Sequence, residues 1–150
     1  MKVLPDENSS ILKYKNFLTQ SGIQPSFQRL KILERLDVKR DHPTVNTIYE
    51  DLILQIPSLS KTTVYNTLNL FLEKSIVISI DTNDNEAHYD LVHCVHGHFV
   101  CLKCKKIYDI ELDSFSPDTL VKGGDSVVST NITIKGICKN CRSELCPEGI

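Results

Sequence analysis

The chain has 150 residues, of which 41% are hydrophobic and 24% charged, values that are typical of a globular protein. No apolar run approaches the about 20 residues that a membrane-spanning helix needs, which argues against a membrane protein and for a cytoplasmic one. The formal net charge of -2 excludes nucleic-acid binding through overall basicity, so any such binding needs a local patch. Six cysteines in a cytoplasmic chain favour metal ligands or free thiols over disulfides.

The first half of the chain carries four helical patterns. Each pattern follows a residue suited to cap a helix, and these residues are Ser9 or Ser10, Ser26, Thr44 and Ser60. The patterns predict helices that end near residues 21, 40, 56 and 74. Two strands joined by a turn are predicted next, over residues 76–80 and 87–92. Short helices followed by such a hairpin predict a winged helix.

The second half is richer in predicted strands, which lie near residues 97–102, 106–112 and 126–136. Ser116-Pro117 predicts the start of a short helix that Gly123-Gly124 must end. We therefore predict an α+β fold. An N-terminal winged-helix DNA-binding domain, residues 1–82, is followed by a small α/β domain, residues 83–150.

The fourth helix is the candidate DNA-reading element. Its apolar stripe leaves an exposed side that can enter the major groove, formed by Thr62, Thr63, Tyr65, Asn66 and Asn69. Tyr65 offers an aromatic edge to a thymine methyl, and Lys61 with the helix N-terminus can hold phosphates. The alternative is a surface helix with a merely solvated polar side, and the predicted hairpin behind it favours DNA.

Two Cys-x2-Cys pairs, Cys101/Cys104 and Cys138/Cys141, form the strongest single motif. Four thiolates suit a closed tetrahedral zinc site, whereas the alternative is a pair of reactive dithiols. Cys94 and Cys146 are left over, and we expect both to be spare thiols.

A second metal site is predicted from histidines and carboxylates. His96 and His98 are two residues apart, so on a strand they point to the same side. Asp90 on the preceding strand and Asp109 on the following one can reach them. His42 lies between the second and third helices, so a metal bound to all five would join the two halves. Three imidazoles and two carboxylates suit Fe(II), Mn(II) or Zn(II).

The remaining histidines fit surface or hydrogen-bonding roles, with His93 as a possible substitute ligand. A zinc-dependent hydrolase built on His96, His98 and a carboxylate would leave the winged helix unexplained. A zinc-ribbon interaction module would leave the His-x-His pair without a role.

These motifs, in this order and spacing, resemble the ferric uptake regulator (Fur) family from about Gln24 to Cys141. The matching strings are His42-Pro43-Thr44, Thr63-Val64-Tyr65-Asn66-Thr67-Leu68, His96-x-His98-x2-Cys101-x2-Cys104 and Cys138-x2-Cys141. The resemblance implies a homodimeric, metal-dependent transcription factor rather than an enzyme. It implies a C-terminal dimerisation domain that follows the winged helix.

The resemblance also assigns residues. Structural zinc falls on Cys101, Cys104, Cys138 and Cys141, and a regulatory Fe(II) or Mn(II) on His42, Asp90, His96, His98 and Asp109. Tyr65 matches the tyrosine placed against DNA bases, and Arg29 matches a basic position near the DNA backbone. The implied partner is a palindromic, AT-rich double-stranded operator.

Aspartate at both carboxylate positions, 90 and 109, is similar to the peroxide-sensing (PerR) branch of the family. That branch is implied to lose its metal when Fe(II) and hydrogen peroxide oxidise a ligand histidine, here His42 or His96, while Mn(II) leaves it insensitive. The alternative is an iron- or zinc-responsive repressor of metal uptake genes, whose iron-sensing members have glutamate at these positions.

The chain departs from the family pattern in two places. The segment from Ser116 to Thr130 is short, and Gly123-Gly124 interrupts what should be a long dimerisation helix. The strand from Val127 to Lys135 lacks the histidine of a further family metal site, so we expect that site to be absent.

Overall fold

Four α-helices make up the first half of the computed structural model, which describes residues 7–143. The helices are α1 (Glu7–Gln20), α2 (Phe27–Lys39), α3 (Val45–Leu52) and α4 (Lys61–Glu73). The predicted caps of the last three are confirmed, because the hydroxyls of Ser26, Thr44 and Ser60 each accept a backbone N–H three residues on. No helix in the described part of the chain is long and apolar enough to cross a membrane.

Two helix boundaries differ from the prediction. Helix α1 extends from Glu7 to Gln20, so Ser9 and Ser10 lie inside it and not at its start. Helix α3 ends at Leu52, and a turn over 53–55 carries the chain to Ile56, which is still buried. The turn returns Ile56 to the same apolar core, so the spacing of apolar residues does not distinguish it from a continued helix.

The hairpin behind the helices consists of β1 (Val77–Asp81) and β2 (Ala87–Leu91), paired antiparallel with Ile78 opposite Asp90. Its inner side packs on the helices. Tyr89 and Leu91 join one apolar core with side chains such as Leu18, Ile32 and Phe71 from α1, α2 and α4. Burying each such large side chain stabilises the fold by about 1.5–3 kcal/mol. This core is the main source of stability in the first half.

The second half is a three-stranded sheet with strand order β4-β3-β5. Strands β3 (His96–Cys101) and β4 (Ile107–Glu111) are antiparallel, whereas β3 and β5 (Ile132–Gly136) are parallel. A short 3-10 helix, Pro117–Thr119, lies between β4 and β5, and α5 (Lys139–Ser143) follows β5.

The strand predicted from residue 126 is wrong in its first part, since β5 begins only at Ile132. Residues 126–131 include the β-branched residues Val127, Val128 and Thr130, but Val128 is 85% exposed and the segment has no strand partner within the described residues. β-propensity measures fit to a paired, half-buried surface, so without a partner it gives no strand. The helix predicted at Ser116-Pro117 is present, as the 3-10 turn that stops before Gly123-Gly124.

Hydrogen bonds connect the two halves. The Asn131 side-chain amide donates to the Ser79 carbonyl at 2.8 Å, and Lys135 Nζ lies 2.7 Å from Asp81. The apolar core of the first half extends to Leu91, so packing alone would divide the chain after β2. The division at residues 82 and 83 stays a prediction.

Candidate metal centres and DNA-binding face

The four paired cysteines converge because of the parallel pairing of β3 and β5. Cys101 ends β3 opposite Gly136 at the end of β5, so the turn after each strand lies at the same edge of the sheet. Cys104 lies in the first turn, Cys138 follows β5, and Cys141 lies on α5. All four sulfur atoms lie within 4.8 Å of one another. We call this group the four-cysteine cluster.

The spacing of the sulfurs fits a tetrahedral metal site. Cys104 Sγ and Cys138 Sγ are 3.8 Å apart. Two thiolates that each lie about 2.3 Å from a tetrahedral zinc are about 3.8 Å apart, whereas a disulfide needs about 2.05 Å. The four-cysteine cluster therefore has the donor set and spacing of a closed zinc site.

The electrostatics of the four-cysteine cluster support the same fit. Cys101 Sγ accepts backbone N–H groups from Cys104 at 3.5 Å and Cys138 at 3.3 Å, and these bonds lower the pKa of its thiol to about 6. Burial, followed by contact with the other sulfurs, raises the pKa of Cys141 to about 12. Four crowded thiolates repel one another without a cation, and a divalent metal would remove that conflict.

The histidine and carboxylate cluster draws on four parts of the fold. His96 and His98 point to one side of β3, and Asp109 lies directly opposite His98 on β4. Asp90 comes from β2, and His42 from the loop between α2 and α3. The structure thus brings together all five residues that sequence reasoning selected, in two overlapping groups that share His98.

The donor atoms of this cluster lie at ligand spacing. Asp90 Oδ2 is 2.8 Å from His96 Nε2 and 3.1 Å from His98 Nε2, and the two Nε2 atoms are 3.1 Å apart. His42 Nε2 is 2.9 Å from Asp109 Oδ1, which lies 3.7 Å from His98 Nε2 and 3.9 Å from His96 Nε2. Neighbouring ligands at right angles, each about 2.1 Å from a metal, are about 3.0 Å apart. The shortest of these distances agree with that value.

The two carboxylates of the cluster differ in environment. Asp90 is buried, which raises its pKa, but the hydrogen bond with His98 and the nearby imidazoles outweigh that effect and leave the pKa lowered. Asp109 is 59% exposed at the rim of the cluster. Ionised carboxylates beside imidazole lone pairs are the donors that Fe(II), Mn(II) or Zn(II) accept, so the residues fit such a metal.

The remaining histidines lie outside the ligand cluster. His93 Nε2 is 3.3 Å from Asp37 on α2, which gives it a partner other than a metal. His88 Nδ1 lies 2.7 Å from the carbonyl of His42, so this imidazole contacts the backbone of a predicted ligand. That contact spans 46 positions, and no local pattern signals it. Cys94 is an exposed thiol, and Cys146 lies outside the described residues.

Five of the six predicted DNA-contacting residues lie on one side of α4, and the sixth, Arg29, lies on α2. Lys61, Thr62, Tyr65 and Asn66 are exposed, and Thr63 is half-buried. Arg29, at the start of α2, lines the same polar groove as Thr63 and Asn66, and its Nη1 donates to the Gln24 carbonyl at 2.7 Å. These residues are placed together on the surface, and their contact with DNA stays a prediction.

The chain matches the ferric uptake regulator family over residues 20–134. The chain belongs to the ferric uptake regulator family. Regulators of this family are DNA-binding dimers that control transcription.

Several known relatives match more than four-fifths of the chain. The peroxide operon regulator of Bacillus subtilis is 33% identical over 127 residues, which cover 83% of this chain and 88% of the relative. The solved peroxide stress regulator of Campylobacter jejuni is 26% identical with a TM-score of 0.64, over 91% of this chain and 99% of that one. The ferric uptake regulator of Francisella tularensis, solved with iron, is 25% identical with a TM-score of 0.61, over 81% and 96% of the two chains.

Proposed function

We propose that this protein is a metal-dependent, homodimeric transcriptional repressor that senses hydrogen peroxide. The observation that carries the proposal is the 2.9 Å approach of His42 Nε2 to Asp109 Oδ1. His42 is attached to the helical half and Asp109 to the sheet, so a metal held by both restrains the two halves relative to each other. The two aspartates and the similarity to peroxide-responsive regulators support the peroxide-sensing interpretation.

The four-cysteine cluster would hold a structural Zn(II), and the histidine–carboxylate cluster a regulatory Fe(II) or Mn(II). In this proposal the regulatory metal favours one orientation of the winged helix. In a dimer that orientation presents two α4 helices to a near-palindromic, AT-rich duplex, with half-sites related by the two-fold axis. We assign no catalytic role to either cluster.

Iron(II), when bound, would supply one electron that cleaves hydrogen peroxide into hydroxide and a hydroxyl-type oxidant. When that oxygen adds to an imidazole, the electron that the ring loses would return to Fe(III), and the proton that it loses would convert the hydroxide to water. The residues of the chain determine where such an oxidant can act. Asp109 forms an open rim through which peroxide can enter, whereas the His98 side chain has no exposed surface. His42 and His96 keep some exposure, so one of them is the expected site of oxygen addition. Loss of a ligand would release the metal and the DNA.

The alternative function is an iron-responsive repressor. The similarity to the Francisella tularensis regulator, which was solved with iron, favours it. An iron sensor would release DNA when iron is withdrawn and would be indifferent to peroxide. The two functions therefore differ in one measurable response.

The test uses zinc-replete protein loaded without oxygen with Fe(II) or Mn(II), or left without a regulatory metal. Fluorescence anisotropy with a labelled operator duplex measures DNA binding before and after one equivalent of peroxide. Mass spectrometry of the digested protein measures the masses of the peptides that contain His42 and His96. We expect metal-dependent binding, and with iron alone a loss of binding together with one added oxygen on a peptide containing His42 or His96.

The matched variant is Asp109→Glu, whose longer side chain can close the open rim. We expect it to keep metal-dependent DNA binding and to lose peroxide sensitivity. Equal DNA affinity with and without metal would contradict the repressor mechanism. Unmodified histidines in iron-loaded protein that stays on DNA would instead favour the iron sensor.

A further inference from the structure

Arg35 of α2 is buried and holds two carboxylates from different parts of the fold. Its side chain is 4% exposed. Nη1 and Nη2 donate to the two oxygens of Asp41 at 2.9 and 3.0 Å, and Nε donates to Asp51 on α3. A two-pronged guanidinium–carboxylate bond fixes direction as well as distance, which a lysine cannot do.

This two-pronged bond between Arg35 and Asp41, which we call the Arg35 fork, lies one residue before the candidate metal ligand His42. Asp41 precedes His42, and the backbone at His42 has φ of +51°, a left-handed conformation that is unfavourable for a residue with a Cβ. Arg40 on the other side of Asp41 has φ of +44°. Such a turn persists only where its surroundings hold it in place.

The surroundings hold the turn from both sides. His88 Nδ1 lies 2.7 Å from the His42 carbonyl, and the Tyr89 N–H donates to the Pro43 carbonyl at 3.0 Å, so β2 secures the far side. The Arg35 fork secures the near side through Asp41. Burying an arginine is costly, and well-packed apolar residues often stabilise a core as much or more. A role in positioning the turn at His42 therefore accounts for the presence of a buried arginine at position 35 of α2.

We infer that Arg35 is a positioning residue that, through Asp41, holds His42 where its Nε2 can meet Asp109 in the regulatory metal site. The same side chain contacts Asp51, so the loop that carries the ligand is tied to α2 and α3, on which α4 packs. The inference rests on the proposed function, because it assumes that His42 ligates the metal.

The experiment measures Mn(II) dissociation constants by electron paramagnetic resonance on the full chain with its zinc in place. Arg35→Lys keeps the positive charge but removes the Arg35 fork. Asp41→Asn removes the same fork by changing its exposed partner, where a substitution affects folding little. We expect both variants to bind Mn(II) about 10–100-fold more weakly, as is typical when a group that orients a ligand is removed. The control is Lys39→Met, which removes the exposed 3.0 Å contact with Asp51 but leaves the fork, and it should change affinity less than twofold.

A double-mutant cycle with His42→Ala separates positioning from general stability. Four donors remain in His42→Ala, so its weaker Mn(II) binding is measured up to millimolar concentration. If Arg35 acts through His42, then Arg35→Lys and Asp41→Asn should cost less than twofold in the His42→Ala background.

The remaining outcomes overturn the positioning role of Arg35, the regulatory metal site at His42, or both. A loss of equal size in the His42→Ala background overturns the positioning role, as does unchanged affinity in the single variants. Wild-type protein that binds no Mn(II), or whose Mn(II) affinity is unaffected by His42→Ala, overturns the proposed regulatory site as well.

Discussion

Tyr65 and Lys61 occupy the same exposed side of α4 but contact different surroundings. Tyr65 is 51% exposed, which leaves its ring free to meet a base edge. Lys61 Nζ lies 5.5 Å from the centre of the Tyr49 ring, a cation–π contact that holds the ammonium near the N-terminus of α4. The first side chain is suited to reading sequence and the second to holding phosphate.

Substitutions of Tyr65 and Lys61 should therefore change DNA binding in different ways. Tyr65→Ala should reduce the discrimination between operator and scrambled duplex by about 1–3 kcal/mol. Lys61→Ala should weaken binding to both duplexes alike and flatten the salt dependence by about one phosphate contact. Anisotropy titrations at several salt concentrations measure both effects. Lys74→Ala, at the other end of α4, is the control, and an equal loss on both duplexes for Tyr65→Ala would count against a base contact.

Helix α1 is joined to α2 by a carboxylate. Asp37 accepts a hydrogen bond from Tyr14 Oη at 2.9 Å, and its side chain is only 12% exposed. The charged or titratable groups that face it are Lys13, Tyr14, Arg40 and His93. Burial raises the pKa of Asp37, but the hydrogen bonds from Lys13, Tyr14 and Arg40 outweigh it and lower the pKa to about 2.

This lowered pKa predicts a pH dependence. Because the folded pKa lies below the unfolded value, the stabilisation is complete above the unfolded pKa, about 4, and is lost as pH falls towards 2. Asp37→Asn should lower the free energy of unfolding by about 1–2 kcal/mol at pH 7, and this difference should shrink between pH 4 and pH 2. Urea unfolding followed by circular dichroism at each pH measures it. Asp118→Asn, which replaces an exposed carboxylate, is the control and should leave the free energy of unfolding unchanged. If the loss of stability in Asp37→Asn did not vary with pH, it would not come from the lowered pKa of Asp37.

The two halves of the molecule are stabilised by different means. The first half buries a large apolar core. Within the part of the chain that the structure describes, the buried cluster around the cysteines consists of Cys101, Cys138 and Cys141, with Phe99 packed against them. Apolar side chains of the sheet also stay exposed, such as Ile134 at 50% and Tyr108 at 40%. A small sheet with so little core of its own needs a further constraint, and a metal held by four thiolates would provide it.

Removing one thiolate should therefore unfold the second half and disrupt the dimer. Binding of a structural zinc contributes on the order of 10 kcal/mol to folding. Cys138→Ser should lose zinc, measured by mass spectrometry of the metal, and should elute as monomer or aggregate in size-exclusion chromatography. Cys94→Ser, an exposed thiol outside the cluster, should keep both zinc and dimer. Wild-type protein that stays folded and dimeric after its zinc is removed would refute this role.

The sequence by itself determined the features that depend on neighbouring residues. The caps at Ser26, Thr44 and Ser60 follow from local hydrogen bonding, and the Cys-x2-Cys pairs and the His-x-His pair follow from ligand chemistry at short spacing. The order of these motifs was enough to indicate the ferric uptake regulator family.

Only the tertiary structure decided what depends on residues far apart in the chain. It placed His42 against Asp109 across 67 positions and the Arg35 fork beside His42. It also left residues 126–131 without a strand partner among residues 7–143. Local propensity is a property of a short segment, whereas pairing, burial and ligand spacing depend on which segments the whole fold brings together. For this reason the candidate donor residues could be selected from the sequence, whereas the distances between them and the contacts that hold them in place could not.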